Sequence, residues 1–311
     1  MVSLSSSPFT EARARALLAR ARAAAGIPGG TGQLLALGEN AVFGLDDLAL
    51  VAKVGREPAL RARAARELAV ARGLDDAGIP VVRPADSLVP AQREAVVTAD
   101  GHPVTFWQQL APAVRPAGTA DLAPLLRALH ELPGSAGLAP PGEPLPRRDL
   151  LAPVEHWLRT AEGHLDPDDA AFLLERRTEL AAALETLSPA LPPGVIHGDA
   201  LPRNVHVGPH GPVLLDLEYV CDDLREHDLV TLALSCDRYG VPEQEYLAFT
   251  RAYGWDVRDW DGCAVLRGAR ETAGAAWVAQ QVPGSAAALA EFRRRVASLR
   301  EGDAAVRWFA F

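Results

Sequence analysis

Cysteine is scarce in this chain: there are three, Cys221, Cys236 and Cys263. The count is odd, the spacing is wide and no Cys-x-x-Cys occurs, which excludes a disulfide framework and a thiolate zinc site. A reducing compartment follows, and a cytoplasmic location is expected. No apolar run approaches the roughly 18 residues that a membrane span needs, so no membrane partner is expected. Basic residues are in deficit, with 31 Lys and Arg against 40 Asp and Glu and a net charge of −9. A general nucleic-acid binder carries a basic footprint, so nucleic acid is not an expected partner. The acidity serves solubility and fits a cationic or neutral ligand. What is present is ordinary for a globular protein: 49% hydrophobic and 23% charged residues over 311, room for two domains or one large one. Near the start, Ser5 to Ser7 with Arg13, Arg15, Arg20 and Arg22 look superficially like a transit peptide. The same alanine and arginine richness runs through the whole chain, so an ordinary helix is expected: Ser7 as N-cap, Pro8 at its first position, Gly26 and Pro28 ending it.

The first third reads as strands, at Gln33–Leu37, Ala41–Leu45 and Leu48–Val54, separated by turns at Gly38-Glu39-Asn40 and Asp46-Asp47. A helix over Pro58–Ala77 carries Leu60, Ala64, Leu68 and Ala71 on one stripe. Extended runs follow at Ser87–Val89, Glu94–Thr98 and Val104–Leu110. After a connector at 111–118 the pattern turns helical: Asp121–Leu132, Leu150–Gly163, Asp168–Leu187, Leu224–Ser235, Glu243–Tyr253, Arg258–Gln280 and Ala286–Arg300. A strand-rich insertion interrupts it, with Val195-Ile196, Val205–Val207, a turn at Gly208-Pro209-His210-Gly211, and Val213–Leu215. No internal repeat is visible. The expectation is a bilobal α+β protein: a β-rich lobe over 1–110 and a mainly helical lobe over 111–311 that carries a small hairpin, with a cleft between them.

The insertion holds the chemistry. It reads Val195-Ile196-His197-Gly198-Asp199-Ala200-Leu201-Pro202-Arg203-Asn204-Val205, then Val213-Leu214-Leu215-Asp216-Leu217-Glu218. Asp199 follows a buried strand, Asn204 heads the next and Asp216 ends the last. A tight hairpin is expected to bring Asn204 and Asp216 together on the side of Asp199. Two oxygen ligands beside one free carboxylate suit phosphoryl transfer from a magnesium nucleotide: the pair holds the metal, and the carboxylate takes the proton of the acceptor hydroxyl.

An Asp followed five residues later by Asn, then by an Asp after a hairpin, matches the catalytic loop of protein kinases. With Gly198 between His and Asp, and Leu-Asp-Leu-Glu downstream, the chain resembles the aminoglycoside phosphotransferase and choline kinase family. The resemblance implies a protein-kinase-like fold, ATP or GTP as co-substrate, Mg2+, and transfer to a small-molecule hydroxyl. It assigns Asp199 as catalytic base and Asn204 with Asp216 as metal ligands. It also implies that Lys53, ending Leu50-Val51-Ala52-Lys53-Val54, pairs with Glu67 on the following helix and reaches the nucleotide phosphates. Gly38 and Asn40 lie in what looks like the family's short nucleotide loop, although no G-x-G-x-x-G is present. Val104-Thr105-Phe106-Trp107 is similar to family sequence as well, and an Asp at position 228 tends to anchor the catalytic loop in this family.

Each residue has a plainer reading. Asp199 could cap a turn, Lys53 could be a surface residue at a strand end, and Glu67 could be a solvated helix residue. His197 is expected to brace the loop backbone rather than bind metal with His206 and His210. Arg203 could touch phosphate or pair with a carboxylate; Glu218 could add an oxygen beside Asp216 or form a structural salt bridge. Asp228 heads an apolar helix, where a structural role is expected. Trp255, Trp260, Trp277, Trp308, Phe309 and Phe311 are expected in the core. The alternative to a kinase is a kinase-like pseudoenzyme that binds or regulates; a decayed site normally loses one of Lys53, Asp199, Asn204 and Asp216, and none is lost. A metal-dependent hydrolase built on the His and Asp residues fails on ligand spacing. The acceptor is expected to be an aminoglycoside-like antibiotic, linking the chain to antibiotic resistance, or an amino sugar or related metabolite. It is expected to be cationic or neutral rather than anionic, because Glu218, Asp222, Asp223, Glu226, Glu243 and Glu245 crowd the second lobe. A protein acceptor is disfavoured by the short segment between Asp216 and Asp228, and no protein partner is evident.

Overall fold

The computed structural model describes residues Phe9–Phe309; the expected caps Ser7 and Pro8, and Phe311, lie outside them. In chain order the elements begin α1 (Glu11–Ala24), β1 (Gln33–Leu37), β2 (Asn40–Leu45), β3 (Leu50–Gly55), α2 (Arg61–Asp76), the single helical turn α3 (Ala91–Glu94), β4 (Val97–Ala99) and β5 (His102–Gln108). They continue with α4 (Thr119–His130), α5 (Val154–Thr160), α6 (Pro167–Glu185), β6 (Gly194–Ile196), β7 (Val205–Gly208), β8 (Gly211–Leu214) and β9 (Cys221–Asp223). The chain closes with α7 (Glu226–Tyr239), α8 (Glu243–Tyr253), α9 (Cys263–Ala279) and α10 (Ala286–Arg300). Two compact units interleave along the sequence. The first takes the chain as far as Pro116, then Ser135–Leu145 and Val205–Val220; the second takes Ala117–Gly134, Pro146–Asn204 and the chain from Cys221 onward. The division is thus not a single cut after residue 110: the hairpin of β7 and β8 groups with the N-terminal strands.

The first unit is built on an antiparallel sheet in the order β1-β2-β3-β5-β4. Strand periodicity sends Ala41, Phe43, Leu45, Ala52, Val54, Val104 and Phe106 to one face, where they pack with Ala14, Leu17, Leu18 and Ala21 of α1. α1 is capped by Thr10, whose hydroxyl accepts from the Arg13 amide. Lys53 alternates out of this apolar set to the opposite face, towards α2. That helix opens after a 3-10 turn at Pro58–Leu60 and buries Glu67 along with Leu68, Val70, Ala71 and Leu74. Gly73 permits a close approach here, since a Cβ would stand 2.6 Å from the Gly137 carbonyl oxygen.

The extended run expected at Ser87–Val89 is instead a turn, with the Leu88 and Val89 amides both bonded to the Ala85 carbonyl. The residues that follow form α3, and only Val97–Ala99 remains strand. The reason lies in Gln92. Its side-chain amide exchanges two hydrogen bonds with the backbone of Phe106, at 2.6 and 2.9 Å, and with the Ala85 amide and Arg83 carbonyl, which bond Phe106 and Gln108, it satisfies the β5 edge. The hairpin of β7 and β8 is clamped to the chain leaving α2: Leu214 donates to the Pro80 carbonyl and accepts from the Val82 amide, both at 2.9 Å.

The second unit is mainly helical. α7 is its central helix, buried at nearly every position from Glu226 to Cys236. α5, α6, α9 and α10 supply a core of Leu150, Leu151, Val154, Leu173, Ala276, Phe292 and their neighbours, closed by Trp308. Phe309, expected in the core, is 58% exposed. A short strand invisible in the sequence, β9, pairs antiparallel with β6. Its Cys-Asp-Asp sequence has little β-propensity and is held extended by the partner strand.

Candidate functional site

Four side chains converge in the first unit. Lys53 Nζ lies 2.8 Å from Glu67, 3.2 Å from Glu218 and 3.4 Å from Asp216. β3 supplies the lysine, α2 the glutamate, and the chain leaving β8 the other two acids. Glu67 is therefore not a solvated helix residue; it is buried against Lys53. Burial alone would lower the lysine pKa, but the fields of Glu67, Glu218 and Asp216 overcome it and hold the ammonium well above its usual value. Burial raises the Glu218 pKa; Lys53 opposes this, while Asp216 and Glu67 add to it. One lysine thus faces more negative charge than it neutralises. Carboxylate oxygens of Glu67, Asp216 and Glu218 lie within 4.8 Å of one another, an all-oxygen donor set that fits a hard cation such as Mg2+. Asp216 is left-handed, at φ 55° and ψ 59°, a conformation that Asp tolerates better than most residues and that often marks a functional position.

The turn between β1 and β2 is tied to the same cluster. The Asn40 side chain reaches Glu218 at 3.4 Å. Glu39 accepts from Arg63 of α2 at 2.7 Å and from the Tyr219 hydroxyl at 3.3 Å. The Arg63 guanidinium also lies over the Tyr219 ring. The Gly38 amide closes the turn by donating a hydrogen bond to the Asn40 carbonyl, and its Cα faces open space. Arg63 was not singled out from the sequence, although it precedes Glu67 by one helical turn and so shares its face.

The second unit holds the loop from His197 to Asn204. β6 ends at Ile196, and His197-Gly198-Asp199 follow at once. Asp228 of α7, fully buried, accepts the His197 amide at 2.7 Å, the Gly198 amide at 2.8 Å and His130 Nε2 at 3.1 Å. Burial would raise its pKa, but these hydrogen bonds and nearby imidazoles prevail and lower it to about 2. Gly198 stands at φ 81°, in the left-handed region, which is a physical reason for glycine between the His and the Asp. His197 is wholly buried and its Nδ1 faces the Asp199 amide at 3.4 Å, a backbone brace as expected. The Asp199 carboxylate accepts from Asn204 Nδ2 at 2.9 Å and from Arg203 at 3.0 Å. It is therefore an oriented group rather than a free one. Asn204 also bonds the Asp199 carbonyl through Nδ2, which leaves its Oδ1 as the atom able to meet a metal. His130 carried no signal in the sequence: it is a lone histidine at the end of α4, far along the chain from Asp228.

Most of the acids expected to give the acceptor site a negative field have internal partners. Glu218 belongs to the lysine cluster. Asp223 accepts the Arg148 and Leu224 amides, and Glu226 those of Ala190 and Leu191. Glu243 pairs with Arg258, and Glu245 accepts from Thr119. Among the described residues, no helix is long and apolar enough to cross a membrane.

The family model described as the phosphotransferase enzyme family matches residues 35–266. The chain belongs to this family. Its fold is kinase-like: a choline/ethanolamine kinase family protein from Mesorhizobium loti superposes with a TM-score of 0.59 at 22% identity, over 92% of this chain and 99% of that one. An aminoglycoside phosphotransferase from Streptomyces rimosus, solved with ADP and streptomycin, gives 0.54 at 18% identity, over 81% and 97%. In sequence, a homoserine kinase of Rhizobium meliloti (strain 1021) is 37% identical over 92 residues, a match that spans 28% of each chain. Within the phosphotransferase enzyme family, then, the matched region of this chain takes in Lys53, Glu67, the loop from His197 to Asn204, and Asp216.

Proposed function

We propose that this phosphotransferase-family chain is a small-molecule kinase that moves the γ-phosphoryl group of ATP or GTP onto an acceptor hydroxyl. The observation that carries the reading is the Lys53–Glu67 pair facing Asp216 and Glu218, in a chain whose second unit holds Asp199 on an anchored loop. Lys53 binds the α- and β-phosphates. In the first unit Asp216 and Glu218 would hold Mg2+, which when bound neutralises charge on the phosphate oxygens; in the second, Asn204 Oδ1 is the oxygen suited to a metal. Asp199 orients the acceptor hydroxyl and takes its proton as the oxygen bonds to the γ-phosphorus. The bond from that phosphorus to the β,γ-bridging oxygen breaks, and the nucleoside diphosphate leaves with the electron pair. The choline/ethanolamine, aminoglycoside and homoserine kinases among the similar proteins support a hydroxylated small molecule as acceptor. Of the six acids that led to the expectation of a cationic or neutral acceptor, Glu218, Asp223, Glu226, Glu243 and Glu245 have partners within the fold, although Glu243 and Glu245 stay exposed. The test is a coupled ADP-release screen over hydroxylated compounds, run with wild type and Asp199→Asn. Acceptor-dependent release should fall roughly 10²- to 10⁴-fold in the variant while nucleotide affinity stays within about twofold. Nucleotide binding without release from any acceptor would favour the pseudoenzyme.

A further inference from the structure

We infer that Tyr253 of α8 is a positioning residue for phosphoryl transfer: its hydroxyl fixes which ring nitrogen of His130 carries the proton, and through Asp228 that choice holds the loop bearing Asp199. This role deepens the kinase reading and rests on it. Tyr253, His130, Asp228 and the loop from His197 to Asn204 all lie in the second unit. The Tyr253 hydroxyl stands 2.8 Å from His130 Nδ1, and His130 Nε2 stands 3.1 Å from Asp228 Oδ2. The same Oδ2 accepts the His197 amide at 2.7 Å, and Oδ1 accepts the Gly198 amide at 2.8 Å. His130 and Asp228 are buried, so bulk water does not complete these groups. The Tyr253 ring is itself fixed: it stacks on Phe249 with centroids 5.8 Å apart and meets the His130 ring edge-on. α8 is tied to α4 a second time where Thr119 donates to the Glu245 carbonyl at 2.7 Å.

The direction of these hydrogen bonds follows from the two ends. Asp228, with its depressed pKa, is ionised and can only accept. His130 Nε2 therefore donates. A neutral ring with its proton on Nε2 leaves Nδ1 as a lone pair, which the Tyr253 O–H fills. With the polarity reversed and Nδ1 donating, the hydroxyl proton would have no acceptor, because among the described residues Tyr253 has no other hydrogen-bond partner. Burial pushes the Tyr253 pKa up, so the proton stays on the hydroxyl at neutral pH. Without the hydroxyl, either tautomer is open to the ring. The form with its proton on Nδ1 turns a lone pair towards the Asp228 carboxylate and takes away one of the three donors that hold it against the His197 and Gly198 amides.

The experiment reads the tautomer, the loop and the reaction separately. Nitrogen NMR of the imidazoles, with His130 assigned from the signal missing in His130→Gln, should show its proton on Nε2 in wild type. A proton on Nδ1, or on both nitrogens, overturns the inference and leaves the kinase reading intact, and wild type alone decides this. In Tyr253→Phe the His197 and Gly198 amides should exchange with solvent roughly tenfold faster, while those of Ala275 and Ala276 in the core of α9 change by less than about twofold. An equal change at both places marks a purely structural tyrosine and overturns the inference, as does an unchanged loop. ADP release is followed with magnesium ATP and choline, kanamycin or L-homoserine as acceptor. With a compound that turns over, Tyr253→Phe should lower kcat roughly three- to tenfold and leave the nucleotide KM within about twofold. In a His130→Leu background, where no imidazole is left to orient, the same substitution should add less than about twofold. Full additivity overturns the inference. His130→Gln, which keeps an N–H for Asp228, should retain more of kcat than His130→Leu; the reverse order counts against it. If no compound turns over, the tautomer and the exchange comparison decide. If wild type also fails to bind nucleotide, the kinase reading falls and the inference with it.

Discussion

Lys53 meets three carboxylates, and their unequal contributions can be separated. Removing the lysine leaves Glu67, Glu218 and Asp216 facing one another without a cation, whereas removing Glu67 leaves the lysine two acids. Breaking a buried pair from one side costs roughly 3–5 kcal/mol when the remaining charge has no other partner. Lys53→Ala should therefore raise the nucleotide KM or lower kcat more than Glu67→Ala does, as steady-state kinetics of the two variants would show. A larger effect from Glu67 would mean that the roles are inverted. Asp216→Ala should abolish the magnesium dependence of nucleotide binding, measured by titration with and without the metal; magnesium nucleotide bound as tightly as in wild type would place the cation elsewhere. These four acidic and basic residues could be named from the sequence because their strand ends and helix turn carry them. His130 could not, since one histidine at a helix end gives no hint of which carboxylate it will meet.

At the scale of elements, the turn between β1 and β2 is held down by side chains as well as by its own backbone. Arg63 of α2 grips Glu39 and lies over Tyr219, so one residue joins the turn, the helix that carries Glu67 and the segment that carries Glu218. Arg63→Met should raise the nucleotide KM severalfold, and less than Lys53→Ala, because half-exposed pairs contribute on the order of 1 kcal/mol or less. An unchanged KM would show that the turn is ordered without it. Alternation and turn residues made β1, β2, β3 and the β7–β8 hairpin legible, and periodicity did the same for α2, α8 and α10. Two elements were not legible because distant residues create them. β9 is extended only because β6 pairs with it. The strand expected at Ser87–Val89 is a turn, and the β5 edge is met instead by the backbone of 83–85 and the Gln92 side chain.

The whole molecule should lose stability in two stages on acidification. His227 is held neutral by burial and by the Arg270 charge, so its contribution is complete above its ordinary pKa near 6.5 and is lost as pH falls through about 4. The Asp228 pKa is likewise depressed, to about 2; its contribution is complete above the unfolded value near 3.8, lost as pH falls through about 2, and worth about 2 kcal/mol. Urea unfolding midpoints should begin to fall below pH 6.5 in wild type, and His227→Gln should flatten that upper part. A midpoint constant from pH 7 to pH 4.5 would contradict the assignment. The interleaving of the two units has a different consequence, in time rather than energy. About 150 residues separate Glu67 from Asp216, which is roughly 8–30 s of synthesis at ordinary rates. The N-terminal sheet leaves the ribosome with Lys53 and Glu67 in place but without the hairpin that completes its own unit. For that interval the nascent chain has Lys53 and Glu67 but neither Asp216 nor Glu218 to complete the cluster. On the proposed roles, magnesium nucleotide should not stabilise a fragment ending at Pro116, which would carry the sheet without Asp216 and Glu218.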